Sequence, residues 1–332
     1  AQSMSSVTLA SGVQLPMVGF GCAGYVRRHE LLQAIHAGYR MFDTAQAHEW
    51  YLEEELGAAW QASGVGRTEL FFTSKLHPRD LGEQSTLDAF PNSLRRLNTT
   101  YLDAFLLHYP RCFGTLCAQP PQGTWKDSWR ALEKLFADGR VHAIGVSNFS
   151  PQELEELLAV STVKPHLVQS WMDPLHQERP LRSLCRRHNI QFQAYSTLGT
   201  QHHTSFNPVI KHPVLNSIGK EVGKSPAQVA LRWALQHDAA VIPRSRNPGR
   251  MRANLELSEW QLSAEHMAAI DALDGSDPTL ITLPLSPPLP CKDEEPGCAR
   301  WAEDGECEKN PGFMLRACAG SCNSCHARDR EL

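Results

Sequence analysis

Three ionisable side chains fall at the same place in three successive apolar runs. Met41-Phe42-Asp43, Phe71-Phe72-Thr73-Ser74-Lys75 and Ala104-Phe105-Leu106-Leu107-His108 each read as a short buried strand, closed in turn by an acid, an amine and an imidazole. An aspartate there has lost much of its water, which is tolerable only where a cation or several donors meet it, and Lys75 is the candidate cation. With His108, the set suits proton transfer. Later runs also close on polar groups: Ser147-Asn148, Gln169, Tyr195-Ser196 and Arg244-Ser245. A single strand-end histidine would be more simply a satisfied core residue. Seven such ends in order are more simply a site.

The elements that position them alternate along the chain. Val7-Thr8-Leu9 and Val13-Gln14-Leu15, parted by Ala10-Ser11-Gly12, predict a hairpin, and Val18-Gly19-Phe20-Gly21 the first core strand. Helical periodicity over 29–37, 51–62, 84–97, 125–137, 151–158, 178–188, 226–236 and 263–273 separates strands at 41–43, 70–74, 102–107, 143–147, 167–170, 191–195 and 240–243. Eight strands alternating with helices predict an α/β fold, a (β/α)8 TIM barrel, whose functional groups come from strand C-termini. The 332 residues, 42% hydrophobic, suffice for one such domain and a small appendage.

Charge and cysteine usage narrow the class. A formal net charge of −4 without a long Lys/Arg cluster gives no footprint for nucleic acid or anionic lipid. No apolar run approaches the ~18 residues of a membrane helix, and the start Ala1-Gln2-Ser3-Met4 carries no signal-peptide pattern; the missing initiating Met points to a removed leader or tag. Of ten cysteines, Cys22, Cys112, Cys117 and Cys185 are scattered, and six crowd the last forty-two residues. That tail reads as a disulfide framework more readily than as a zinc site, since no paired CxxC spacing is present. Cys112 and Cys117 either pair or remain two free thiols. His202-His203 lacks a partner at metal-ligand spacing, so no metal is expected. Trp50, Trp125, Trp129 and Trp171 either line a pocket or pack in the core.

Several ordered stretches carry a family likeness over roughly residues 5–275: Gly38-Tyr39-Arg40-Met41-Phe42-Asp43-Thr44-Ala45, Thr73-Ser74-Lys75, Tyr101 to Pro110, Gly145-Val146-Ser147-Asn148-Phe149, Ala194-Tyr195-Ser196 and Ile242-Pro243-Arg244-Ser245. The chain resembles the aldo-keto reductases. The resemblance implies NADP(H) laid across the barrel mouth and hydride exchange with an aldehyde or ketone. It implies that Ser147, Asn148 and Gln169 bond the nicotinamide carboxamide and that Tyr195 stacks on the ring. Ser196 and Leu198 complete this cofactor wall. Arg244, Ser245 and Arg250 then clamp the 2′-phosphate and Asn254 meets the adenine, although Ala253 stands where the family commonly has a glutamate. Asp43, Lys75 and His108 carry over as catalytic groups.

One position departs from the family. Its proton donor is a tyrosine five residues after the aspartate, and here that count reaches His48. Counting back from Glu53 reaches Trp50 instead, so neither count gives Tyr51. A neutral imidazole beside Lys75 is a weaker acid than an imidazolium. Three readings follow: a reductase with an atypical donor, a redox-neutral enzyme of the lyase, isomerase or dehydratase kind using Asp43, His48, Lys75 and His108, or an NADPH-binding protein with reduced catalysis.

Barrel (1–280), Pro-rich linker (281–290), disulfide-rich domain (291–325) and tail (326–332) are the expected divisions. Cys291, Cys298, Cys307, Cys318, Cys322 and Cys325 resemble a ShKT domain, which implies the pairs Cys291–Cys325, Cys298–Cys318 and Cys307–Cys322. Gly312-Phe313 stands where channel-blocking members have a lysine and an aromatic, so docking or stabilisation is the expected role. Such cystines, with the sequon Asn98-Thr99-Thr100, predict the secretory pathway, the ER lumen or outside the cell. A monomer is expected.

Overall fold

The computed structural model describes residues 6–113, 116–202, 206–275, 297–304 and 321. They fall into two compact units, Ala1–Gly199 with Val209–Asp274, and Thr200–Pro208 with Gly275–Leu332. The expected Pro-rich linker, the tail 326–332 and five of the six tail cysteines lie outside the described residues. Cys298, which opens a helix of the second unit, is disulfide-bonded.

The larger unit begins with the expected hairpin. β1 (Ser6–Thr8) pairs antiparallel with β2 (Gln14–Pro16), and Gly12 turns the chain at φ 87°, a region glycine enters without steric cost. Eight parallel strands follow, neighbours in chain order: β3 (Phe20–Gly21), β4 (Met41–Asp43), β5 (Phe71–Leu76), β6 (Ala104–Leu107), β7 (Ile144–Ser147), β8 (Leu167–Trp171), β9 (Gln191–Tyr195) and β10 (Ala240–Val241). The sheet closes on itself. Val18 bridges Val241 in parallel, and the Gly19 N–H donates to the Val241 carbonyl at 2.8 Å. This is the (β/α)8 barrel.

Helices α1 (Arg28–Ala37), α2 (Glu53–Ser63), α3 (Glu83–Leu97), α4 (Trp125–Ala137), α5 (Pro151–Val160), α6 (Arg179–Arg187), α7 (Pro213–Val222), α8 (Pro226–Gln236), α9 (Pro248–Ala253) and α10 (Ala264–Asp271) belong to the same unit; α11 (Cys298–Glu303) belongs to the other. Their starts are written locally. Ser150-Pro151 before Glu153, and Ser225-Pro226 before Gln228, each form a capping box with proline in the first turn. None of the helices among the described residues is long and apolar enough to cross a membrane.

Strand alternation makes two cores. Outward side chains such as Phe42, Phe72, Phe105 and Val146 pack under the helices, and inward Met41, Phe71, Ala104, Leu106, Leu167 and Ala240 fill the barrel. Leu9 and Leu15 of the hairpin join the inward set and floor it. Gly145 keeps the filling tight, since a Cβ there would lie 2.2 Å from the Leu167 carbonyl oxygen. Two residues further along β4, β5, β7 and β8 the inward positions turn polar, as Asp43, Thr73, Ser147 and Gln169. The register pairs Ser147 with Gln169 and Gln169 with Gln193, one layer above the apolar filling.

Candidate active site

Asp43 and Lys75 meet in this polar layer. Lys75 Nζ donates to Asp43 Oδ1 at 2.6 Å and to the Thr44 carbonyl at 3.0 Å, and both side chains are withdrawn from solvent. Gln169 Nε2 donates to Asp43 Oδ2 and to Gln193 Oε1, each at 2.7 Å. Both carboxylate oxygens are therefore bound, which the desolvated pair requires. Gln169 spends both its N–H groups downward and keeps Oε1 as an acceptor. Gln193, buried and inward, is a site residue that the sequence reading passed over; only its register opposite Gln169 marks it.

His108 closes β6 beside them. Burial, then the charge of Lys75 and the neighbouring His77, hold its pKa well below the ordinary imidazole value, so the ring is neutral. Its Nδ1 is buried without a hydrogen-bond partner. The ring stacks on Tyr109 at 4.8 Å between centroids and meets Tyr51 at 5.8 Å and Trp50 at 6.1 Å edge-on.

Tyr51, rather than His48, stands against Lys75 and His108. Lys75 Nζ lies 5.0 Å from the centroid of the Tyr51 ring. Burial first, and then the negative charge of Asp43, raise the phenol's pKa well above its usual value, so it holds its proton. His48, by contrast, is exposed, and the structure does not bring it into the cluster. The Ala47 carbonyl accepts from the N–H of Trp50 (3.0 Å) and of Tyr51 (2.9 Å), so the backbone from Ala47 to Tyr51 is coiled into a turn. The Trp50 carbonyl is held by the N–H groups of Gly24 and Tyr25, and the Tyr25 hydroxyl donates to the Glu49 carbonyl at 2.6 Å. The remaining tryptophans split between roles. Trp125 and Trp129 are core, whereas Trp171, half-buried at the end of β8, stacks on His176.

Across the mouth, Asn148 links two other expected cofactor groups, Ser147 and Tyr195, to the His108 backbone. At φ 61° its amide donates to the His108 carbonyl (2.9 Å) and to Ser147 Oγ (3.1 Å), and its oxygen accepts from the Tyr195 hydroxyl at 2.6 Å. Ser196 follows in the left-handed region at φ 54°. Beyond it opens a cleft of about 620 Å³ whose lining includes Leu198, Arg244, Ser245, Asn247, Arg250 and Asn254. Arg246 is occupied by Glu30 (3.0 Å) and the Gly24 carbonyl (2.9 Å). Arg244 and Arg250 have no carboxylate partner among the described residues. Loss of water at the cleft, then the neighbouring Arg246, hold the Arg244 pKa below that of a free guanidinium. Two guanidiniums without counter-charge beside a serine hydroxyl fit a phosphate dianion. Asn254 is buried and its side chain bonds the Tyr39 hydroxyl.

Cys112 and Cys117, left open by their spacing, are joined as a disulfide, while Cys22 and Cys185 are buried free thiols. Among the described residues no group of three His, Cys, Asp or Glu could hold a metal ion.

A closed barrel with an acid–amine–imidazole cluster and a cationic cleft at one mouth agrees with what comparison finds. The profile of the aldo/keto reductase family matches residues 27–275, and a ShK domain-like profile matches 290–325. The chain belongs to the aldo/keto reductase family. Similar proteins include the glyoxal reductase of Bacillus subtilis, 39% identical over 276 residues (82% of this chain, 94% of that protein). The 9,11-endoperoxide prostaglandin H2 reductase of Trypanosoma cruzi is 37% identical over 281 residues, with the same coverage. An NADPH-dependent codeinone reductase 1-4 of Papaver somniferum is 38% identical over 306 residues (87% and 95%). Among solved structures, the Bombyx mori aldo-keto reductase in complex with NADP superposes with a TM-score of 0.77 at 28% identity (84% and 96%).

Proposed function

We propose that the chain reduces an aldehyde or ketone with NADPH, and that Tyr51 delivers the proton. The chain is an NADP(H)-dependent oxidoreductase at family level, in company with its NADPH-dependent relatives. What carries the finer reading is the Tyr51 ring set 5.0 Å from Lys75 Nζ and edge-on to His108.

NADPH, when bound, supplies the hydride; Arg244, Ser245 and Arg250 would hold its 2′-phosphate, and Ser147, Asn148, Gln169 and Tyr195 its nicotinamide end. The chain's own groups do the rest. His108, neutral, directs a ring N–H at the carbonyl oxygen and fixes its orientation. As that oxygen gains negative charge it becomes a stronger base than a phenolate, so the Tyr51 hydroxyl gives up its proton despite a raised pKa. Lys75 beside the ring favours the phenolate left behind, and Asp43 with Gln169 keeps Lys75 in place. The flanking rings of Trp50 and Tyr109 keep water from the reacting oxygen.

Removal of the phenolic hydroxyl is the direct test. Tyr51→Phe is expected to lower kcat for nitrobenzaldehyde by about 10²–10⁴-fold, with NADPH affinity retained, whereas His48→Ala stays near wild type. Undiminished NADPH consumption by Tyr51→Phe overturns the assignment, and turnover without any fall in NADPH absorbance overturns the reductase reading. The Cys112–Cys117 bond and the bonded Cys298 support a place in the secretory pathway, in the ER lumen or outside the cell, for a monomer whose ShK-like segment docks a partner.

A further inference from the structure

The loop after β6 is closed by a covalent bond that the proton transfer does not use. Cys112 and Cys117 are joined, with Phe113 next to one sulfur and Leu116 next to the other. The Leu116 N–H donates to the Phe113 carbonyl at 3.1 Å, and Leu116 is buried. Phe113 is 43% exposed, yet its ring stands edge-on to Tyr109 at 4.7 Å. Tyr109 in turn stacks on His108 at 4.8 Å with 29° between planes. The Tyr109 phenol is near enough to Tyr51 and Tyr195 to act on the ionisation of both. At the start of the loop Arg111 pairs with Glu153, the residue whose side chain completes the α5 cap. Two ring contacts thus connect the disulfide to the imidazole that orients the substrate.

A single edge-on contact is weak against the rotamer and backbone freedom of an exposed loop. The cross-link removes much of that freedom in advance. We propose that the Cys112–Cys117 disulfide is a positioning element of the substrate pocket: through Phe113 it fixes Tyr109, and so gives the site its preference for flat aromatic carbonyl compounds over short aliphatic ones. The inference rests on the reductase reading above. Its substrate class follows from the wall itself. Around His108 stand Trp50, Tyr51 and Tyr109, and Lys75 and Arg111 are already paired, with Asp43 and with Glu153. A flat uncharged ring gains from stacking on a fixed wall, and a short aldehyde does not reach it.

The same bond makes the preference reversible. A dithiol reductant exchanges with it: the reductant's two sulfurs join as a disulfide, two electrons pass, and Cys112 and Cys117 each take up a proton.

The experiment uses the full chain with NADPH, as wild type, Cys112→Ser/Cys117→Ser and Phe113→Ala. The ratio of kcat/KM for nitrobenzaldehyde to that for methylglyoxal is expected to fall about five- to tenfold in both variants, mostly through KM for the aromatic compound. Dithiothreitol should reproduce the fall in wild type and add nothing to the double variant, which separates this bond from the tail cystines. Calorimetric titration of the NADP-saturated protein with nitrobenzyl alcohol should show the same weakening without any turnover. An unchanged ratio and unchanged affinity in both variants overturn the proposal, as does a dithiothreitol effect of equal size in the double variant. If wild type reduces neither aldehyde, the reductase reading fails and the calorimetric comparison alone decides this one.

Discussion

The two halves of the barrel mouth carry their charge in opposite ways. At the reacting centre Lys75 is wholly buried and answered by Asp43, whose second oxygen is taken by Gln169. At the cleft after β10, Arg244 and Arg250 stand at the surface with no carboxylate partner among the described residues, and only Arg246 is matched, by Glu30. The difference follows from water. A dry site must be neutral before any ligand arrives, because a buried unpaired charge costs several kcal/mol. A wet site can leave the counter-charge to its ligand, since solvent and salt screen the wait.

Breaking the dry half should therefore cost stability, and breaking the wet half affinity. Asp43→Asn leaves Lys75 buried and unanswered, and is expected to destabilise the barrel by about 3–5 kcal/mol, read as a lowered urea midpoint. Asp43→Leu with Lys75→Met should recover a good part of that loss, because no charge is then stranded. Arg244→Ala should weaken NADPH binding by about 10–100-fold in a fluorescence titration, leave NADH binding alone, and move the urea midpoint by less than about 0.5 kcal/mol. Equal weakening of NADH would detach Arg244 from the 2′-phosphate.

The smallest effect separates the halves by pH. His77, His108 and His166 all have lowered pKa values, each chiefly through burial. The unfolded chain takes up their protons near pH 6.5, before the folded one does, so this contribution is complete above about 6.5 and is lost as pH falls below it. Glu53 and Asp103, raised by burial, bind protons earlier in the fold and blunt the loss at the acid end. A urea midpoint that rises between pH 6.5 and 5 would contradict the neutral state of His108.

The sequence announced the barrel because seven of the eight runs read as strands end on a polar residue in alternation with helices, and that pattern needs no knowledge of neighbours. It left out α7 and α9, which open on His212-Pro213 and Asn247-Pro248. Asp43, Lys75 and His108 were legible because each sits at a strand end. Tyr51 was not, because a residue count measures contour length, and the turn at Ala47 shortens the path without shortening the count. Gln193 lies between Phe192 and Ala194 in an alternation that does not say which face is inward, and only pairing with Gln169 decides it.

The hairpin floor has a consequence for how the site is resupplied. Leu9 and Leu15 join Met41, Phe71 and Leu106 in one apolar cluster that lies below the charged layer. If Tyr51 delivers the proton, its phenolate is reprotonated from the same opening through which the alcohol departs, because the floor is apolar. Traffic of protons and of product is in series, not in parallel, and each round of reduction ends only when both have used the one doorway.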